Sequence, residues 1–265
     1  MSAALDEILA GHENLIEFSR QDARWQAHYE VVDANGAMFF AGESDFPAYN
    51  NGAFRTDDRV EPAEIIERAR EFFSARKRGF SLWARALPVD DDLASAAADA
   101  RLARVFDYPQ LICRSRLADP KVADGCELRW VENARGMADY AEVCAQAYTT
   151  YGSPADATRS HFDTSRIDRF VGGQMHSVVA YDGDQPLACA QIMLSHGIAG
   201  LFWVGTVESA RGRGLGEAVT RAVTNRAFDL GAPNVQLQAS TMGEPIYRRI
   251  GYDELYRYVF FLSGP

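Results

Sequence analysis

The sequence predicts an α/β (α+β) chain: a mixed, mostly antiparallel twisted sheet flanked by helices, with two such units in tandem. Three observations carry this. Short apolar or alternating runs recur between runs of helical spacing in both halves of the chain. Turn residues of the hairpin kind stand between neighbouring strand patterns, at Asn35-Gly36 and at Asp182-Gly183-Asp184. Finally, from Leu201 to Gly216 an apolar strand breaks into a glycine-rich turn and then into a helix.

Taken in order, residues 1 to about 30 read as helical in two pieces, with Leu5, Ile8 and Leu9 and then Leu15, Ile16 and Phe18 as apolar faces. Nothing chemical shows there. Tyr29 to Val32 and Ala37 to Ala41 read as a hairpin about Asn35-Gly36, and Gly42 to Gly52 as a turn-rich loop. A helix is signalled between Glu61 and Arg78, because Pro62 suits a first turn and Ile65, Ile66, Ala69, Phe72 and Phe73 line one face. Phe80 to Ala84 follow as a strand, Asp90 to Arg104 as a helix, and Phe106 to Ser115 as strand-like chain.

The turn-rich segment Ala118 to Gly125 is the expected boundary between an accessory unit, 1–125, and a second unit, 126–265. There Glu127 to Val131 reads as a strand. A helix starts at Asn133 or Ala134 with Met137, Tyr140, Ala141, Cys144, Ala147 and Tyr148 on its face. A more polar helix runs from Ser153-Pro154 towards Phe170, and Val178 to Tyr181 pairs with Leu187 to Leu194 as a hairpin. His196-Gly197 turns the chain into the strand at Leu201. After the glycine-rich turn, Leu215, Val219, Ala222, Val223, Ala227 and Leu230 mark one helical face, and Val235 to Ala239 alternates like a strand.

Composition bounds the chemistry. The 265 residues, 47% of them hydrophobic, suffice for a sizeable core. The net charge of −10 leaves no general basic face for nucleic acid or an anionic membrane, so neither is expected as a partner. Cys113, Cys126, Cys144 and Cys189 form no ligand or disulfide pattern and read as small buried apolar residues; no metal is expected. Asp6, Glu7 and Glu13 stand where a signal peptide needs a basic start, and no apolar run approaches the ~20 residues of a membrane span. A cytoplasmic protein, monomeric or homodimeric, is expected.

The turn Arg211-Gly212-Arg213-Gly214-Leu215-Gly216 leaves backbone N–H groups at the positive end of a helix dipole, a geometry that binds phosphate, and both arginines add charge for a polyanion. Side chains at the glycines would hold a pyrophosphate off the backbone. Dinucleotide and nucleoside triphosphate folds are excluded: Glu217 stands three positions after Gly214, where Gly-x-Gly-x-x-Gly needs glycine, and no G-x-x-x-x-G-K-[ST] occurs.

Arg-x-x-Gly-x-Gly after an apolar strand resembles the acyl-CoA signature of the GNAT family of N-acyltransferases, and GEPIYRRIGYDEL downstream resembles that family's closing helix and strand. The resemblance implies an N-acetyltransferase in 126–265 that uses acetyl-CoA as co-substrate and no metal. It implies that the backbone of Val204, Gly205 and Thr206 pairs with the pantetheine arm, and that N–H groups from Gly212 to Glu217 hold the pyrophosphate. An amine of unknown identity, whether small molecule, peptide or lysine, attacks the thioester carbonyl directly, and backbone N–H stabilises the oxyanion.

Tyr247 matches the family's frequent general acid for the leaving thiolate. Tyr148, Tyr151, His161 and Phe162 fall on the stretch that shapes the acceptor site in the family. Three positions depart from the pattern: Ser240, expected to reach the cofactor with a shorter side chain where many members carry a cofactor-bonding Asn, Pro245 in the closing helix, and Glu208 where Pro is frequent. Leu201 to Val207 contains no carboxylate, leaving water, His161 or a group of the first unit as base. The accessory unit reads as a degenerate GNAT-like or other α/β unit, since Arg55 to Glu61 before its helix lacks glycine and carries acids. The rival function is a catalytically inactive CoA-binding regulator or scaffold.

Overall fold

The computed structural model describes residues 3–26, 28–45 and 47–264. The first half runs α1 (Ala3–Trp25), β1 (Glu30–Ala34), β2 (Ala37–Ala41), α2 (Pro47–Asn50), β3 (Asn51–Arg55), α3 (Pro62–Ser74), β4 (Phe80–Arg85), α4 (Asp91–Asp99) and β5 (Ala103–Cys113). The second runs β6 (Cys126–Trp130), α5 (Ala134–Ala147), α6 (Ala155–Ser160), α7 (Ile167–Phe170), β7 (Met175–Asp182), β8 (Gln185–Ser195) and β9 (Ile198–Thr206). It closes with α8 (Leu215–Asp229), β10 (Val235–Gln238), α9 (Glu244–Ile250) and β11 (Asp253–Ser263). The expected α/β class, a mixed sheet flanked by helices, is what the chain forms.

Two compact units result, and they do not divide at 125/126. One comprises Met1–Ala27, Leu111–Leu237 and Met242–Asp253; the other comprises His28–Gln110, Gln238–Thr241 and Glu254–Pro265. The amino-terminal helix therefore belongs with the glycine-rich turn rather than with the accessory strands. The reason is burial. Leu5 and Leu9, expected to face a core, are 40% and 37% exposed, whereas Asn14, Leu15, Ile16 and Phe18 are buried. Asn14 Nδ2 donates to the carbonyl of Met193 at 3.2 Å and to Ser195 Oγ at 2.8 Å, and the Phe18 ring stacks on Phe202 at 3.7 Å.

In that first unit the strands lie in the order β10-β9-β8-β7-β6. β6, β7, β8 and β9 are antiparallel neighbours, and β10 joins β9 in parallel. Asp182↔Gln185 closes the β7–β8 hairpin as its turn residues predict. Asn133 caps α5, its side chain accepting from the Gly136 N–H at 3.0 Å. The polar helix expected to reach Phe170 is broken into α6 and α7, with Asp163 accepting from the Ser165 N–H between them. Cys113, Cys144 and Cys189 are buried as expected, while Cys126 is half-buried and its sulfur accepts from Arg213.

The second unit packs α3 and α4 on strands β2, β3 and β4 through a core that includes Phe39, Ile65, Phe73, Phe80, Leu82, Leu93 and Phe261. β1 and β2 pair antiparallel about Asn35-Gly36, both at positive φ, as the turn requires. β3 occupies part of the expected loop: Asn51 and Gly52 are turn formers by composition, yet all five residues are buried between β2 and β4. The helix expected to reach Arg104 stops at Asp99, and Arg101 has a left-handed φ of 59°.

Candidate active site

β9 is asymmetric about its length, and the asymmetry makes the site. Towards β8 it pairs from Ser195↔Ile198 to Ala188↔Thr206, with one irregularity opposite Ala190, where the register shifts between Cys189 and Gln191. Two residues, Trp203 and Val204, fill the place of one, a β-bulge. Trp203 takes a φ of 48°, a left-handed conformation that costs a residue with a side chain about 1–2 kcal/mol. Its carbonyl is turned inward, where the buried Tyr140 hydroxyl of α5 donates to it at 3.2 Å. Towards β10, pairing is limited to Val235↔Ala199 and Gln236↔Gly200. Beyond Gly200 the two strands part, and Val204, Gly205 and Thr206 keep an edge without strand pairing on that side.

Gly205 is demanded by a close approach: a Cβ there would lie 3.0 Å from the Ala147 Cβ of α5. Thr206 leads straight to the glycine-rich turn, since its Oγ1 sits 2.9 Å from where a Cβ on Gly216 would be. Gly214 caps α8 with a φ of 77° and nothing within 4 Å of a would-be Cβ, so the space above the turn is open. The α8 ladder begins with Ala218 N–H donating to Gly214 O at 3.0 Å, which leaves the amides of Leu215, Gly216 and Glu217 before it without helical acceptors. Open space over a helix N-terminus of 15 residues suits a pyrophosphate.

The charges around the turn are more committed than composition suggests. Arg211 donates to Thr150 Oγ1 at 2.6 Å, and Arg213 pairs with Asp182 at 2.8 Å. Glu217 does not oppose an anion freely: Arg249 of α9 and Arg221 both pair with it, and the Arg249 hydrogen bond holds its carboxyl below the usual range. That bridge fixes α9 to the first turn of α8.

α9 begins at Glu244 with Pro245 in its first turn, as the proline requires, and carries Tyr247, 8% exposed. Burial, with the Tyr151 phenol nearby, pushes the Tyr247 hydroxyl well above the ordinary phenol value. It therefore stays protonated, a donor and not a base. Ser240 lies in the segment Gln238–Thr241, grouped with the second unit.

Around the bulge stands a chain of rings. Trp203 meets Tyr148 at 4.6 Å, His161 at 4.9 Å and Phe162 at 5.6 Å, and Tyr148 meets Tyr151 at 5.6 Å. All four residues expected near the acceptor are thus brought together. Behind His161 lies a pair that sequence reading missed. Its Nε2 is 3.4 Å from Asp22 Oδ2 and 3.1 Å from Gln26 Nε2, both from the amino-terminal segment thought to hold no chemistry. Burial raises the Asp22 carboxyl above its usual range against the opposing pull of His161. The available signal was a pair of polar residues, Asn14 and Asp22, at helical spacing among apolar ones. Among the described residues no cluster of His, Cys, Asp or Glu could hold a metal, and no helix is long and apolar enough to cross a membrane.

The chain is similar to known proteins in sequence and in fold. The model of the acetyltransferase (GNAT) family matches residues 141–252. The uncharacterized N-acetyltransferase YjcF of Bacillus subtilis (strain 168) is 30% identical over 98 residues, which cover 37% of this chain and 69% of that protein. A GCN5-related N-acetyltransferase from Kribbella flavida shares the fold with a TM-score of 0.69 at 22% identity, covering 97% of this chain and 95% of that one. A tandem GNAT protein from the clavulanic acid biosynthesis pathway does so with a TM-score of 0.61 at 16% identity, over 92% and 86% of the two chains.

Proposed function

Because this chain belongs to the acetyltransferase (GNAT) family, we propose that it transfers an acyl group, acetyl by preference, from acyl-CoA to an amine. The observation that carries the proposal is the parting of β9 from β10 beyond Gly200, just ahead of the open, glycine-capped N-terminus of α8. The free edge of Val204, Gly205 and Thr206 takes the pantetheine arm as an added strand, and the amides of Leu215, Gly216 and Glu217 take the pyrophosphate. Gly212 and Gly214, both at positive φ, let the backbone approach. Arg211 and Arg213 stay tied to Thr150 and Asp182 and shape the rim of the turn.

The N–H groups at the bulge face the carbonyl oxygen where negative charge develops. Tyr247 donates its phenolic proton to the departing thiolate. Burial makes it a weaker acid, but it also keeps the donor form filled across the working pH range. In the same reading the second unit is a degenerate copy: Asp57 and Asp58, ahead of α3, are taken up by Arg59 and Arg85 where a phosphate would need open amides.

Calorimetry with CoA, together with thiol release from acetyl-CoA over a panel of amines, tests the proposal. Binding followed by thiol release supports it. Binding without release on any amine favours the regulator reading, and no heat with CoA removes both.

A further inference from the structure

Resting on that reading, we propose that the acceptor is an aromatic amine whose nitrogen is uncharged at neutral pH, stacked on the rings of Trp203, Tyr148 and Tyr151. The position of these rings carries the inference. Trp203 is the bulge residue itself, Tyr148 packs on it at 4.6 Å and Tyr151 on Tyr148 at 5.6 Å. Beside burial, the Tyr151 phenol adds to the upward push on the Tyr247 hydroxyl. The three rings are half-buried and follow one another from the bulge, so a nucleophile reaching a carbonyl beside the bulge passes along them. A flat ring gains offset or edge-on contact there that an aliphatic chain does not.

The proton balance points the same way. The amine nitrogen forms a bond to the carbonyl carbon, the carbon–sulfur bond breaks, and sulfur takes one proton while nitrogen loses one. For a neutral amine, Tyr247 alone closes this cycle, giving its proton to sulfur and recovering one from nitrogen. An ammonium carries one proton more and needs a separate base. The titratable groups around the rings are engaged: His161, 4.9 Å from the Trp203 ring, by Asp22 and Gln26 at its Nε2, Asp139 by the Tyr181 hydroxyl at 2.9 Å, and Glu142 by Arg159 at 2.8 Å. Glu208, two residues past β9, is exposed and pairs with no cation among the described residues, which makes it the competing partner for an ammonium.

The test compares an aniline, a phenylalkylamine and a straight-chain alkylamine as acceptors with acetyl-CoA, reading thiol release. The aniline is expected to be preferred, with kcat/KM flat between about pH 6 and 8, because no ammonium has to lose a proton first. Tyr148→Ala, with Tyr151→Leu as a second variant should the first not fold, is expected to raise KM for the aniline about tenfold while CoA binding by calorimetry is unchanged. Preference for either alkylamine, a tenfold rise in the aniline's kcat/KM per pH unit, or loss of alkylamine turnover in Glu208→Gln would each overturn the inference and leave acyl transfer standing. Thiol release from no amine would overturn both.

Discussion

Tyr247 and Asp22 are buried to a similar degree, 8% and 5% exposed, and burial pushes both hydroxyl protons towards retention, with different consequences. For Tyr247 the result is a permanent donor. Tyr247→Phe is expected to lower kcat about tenfold or more with CoA affinity unchanged; an unaltered rate would remove the phenol from the reaction. For Asp22 the result is a dependence of stability on pH. A carboxyl with a raised folded-state pKa binds its proton more tightly folded than unfolded, so its contribution to stability falls as pH climbs from about 4, the value in the unfolded chain. Asp22→Asn lacks that fall, and its melting temperature should gain on that of the unaltered protein steadily from about pH 4 upwards. The glycine-rich turn at Gly214 and the short helix that carries Tyr247 were legible in the sequence because short-range spacing announces them. The Asp22–His161 contact spans 139 positions along the chain, and a left-handed Trp203 answers to no local preference, so neither could be read in advance.

Among the elements, those with strong periodicity or explicit turn chemistry were foreseen: the two hairpins, α3 with its proline start, and α8. β3 was not, because its burial comes from its neighbours and its own first residues are turn formers. α8 has the most at stake in a single residue. Gly214 meets no atom within 4 Å of a would-be Cβ, so the cost of Gly214→Ala is backbone strain alone, about 1–2 kcal/mol. The expected outcome is a lowered melting temperature together with weaker CoA binding by calorimetry, because relief of the strain turns the amides of the first helical turn. A lowered melting temperature with unchanged binding would separate the cap from the phosphate site.

At the scale of the molecule, the chain does not divide where its turn-rich segment suggests. α1 lies 100 residues upstream of β6 in sequence yet closes the unit that holds the glycine-rich turn, with Asn14 bonded to β8 and Phe18 stacked on β9. A polypeptide of residues 126–265, the unit expected from sequence, would expose Phe202 and leave His161 without Asp22. It should show no cooperative thermal transition by circular dichroism, whereas the full chain should; a sharp transition from the fragment would make α1 dispensable. The parted edge of β9 has a colloidal side as well. A row of unsatisfied main-chain donors and acceptors is a template for another copy's strand, and native proteins generally blunt such rows. In the proposed function CoA is the shield, so light scattering of concentrated samples should fall when CoA is added, and its withdrawal should seed precipitation.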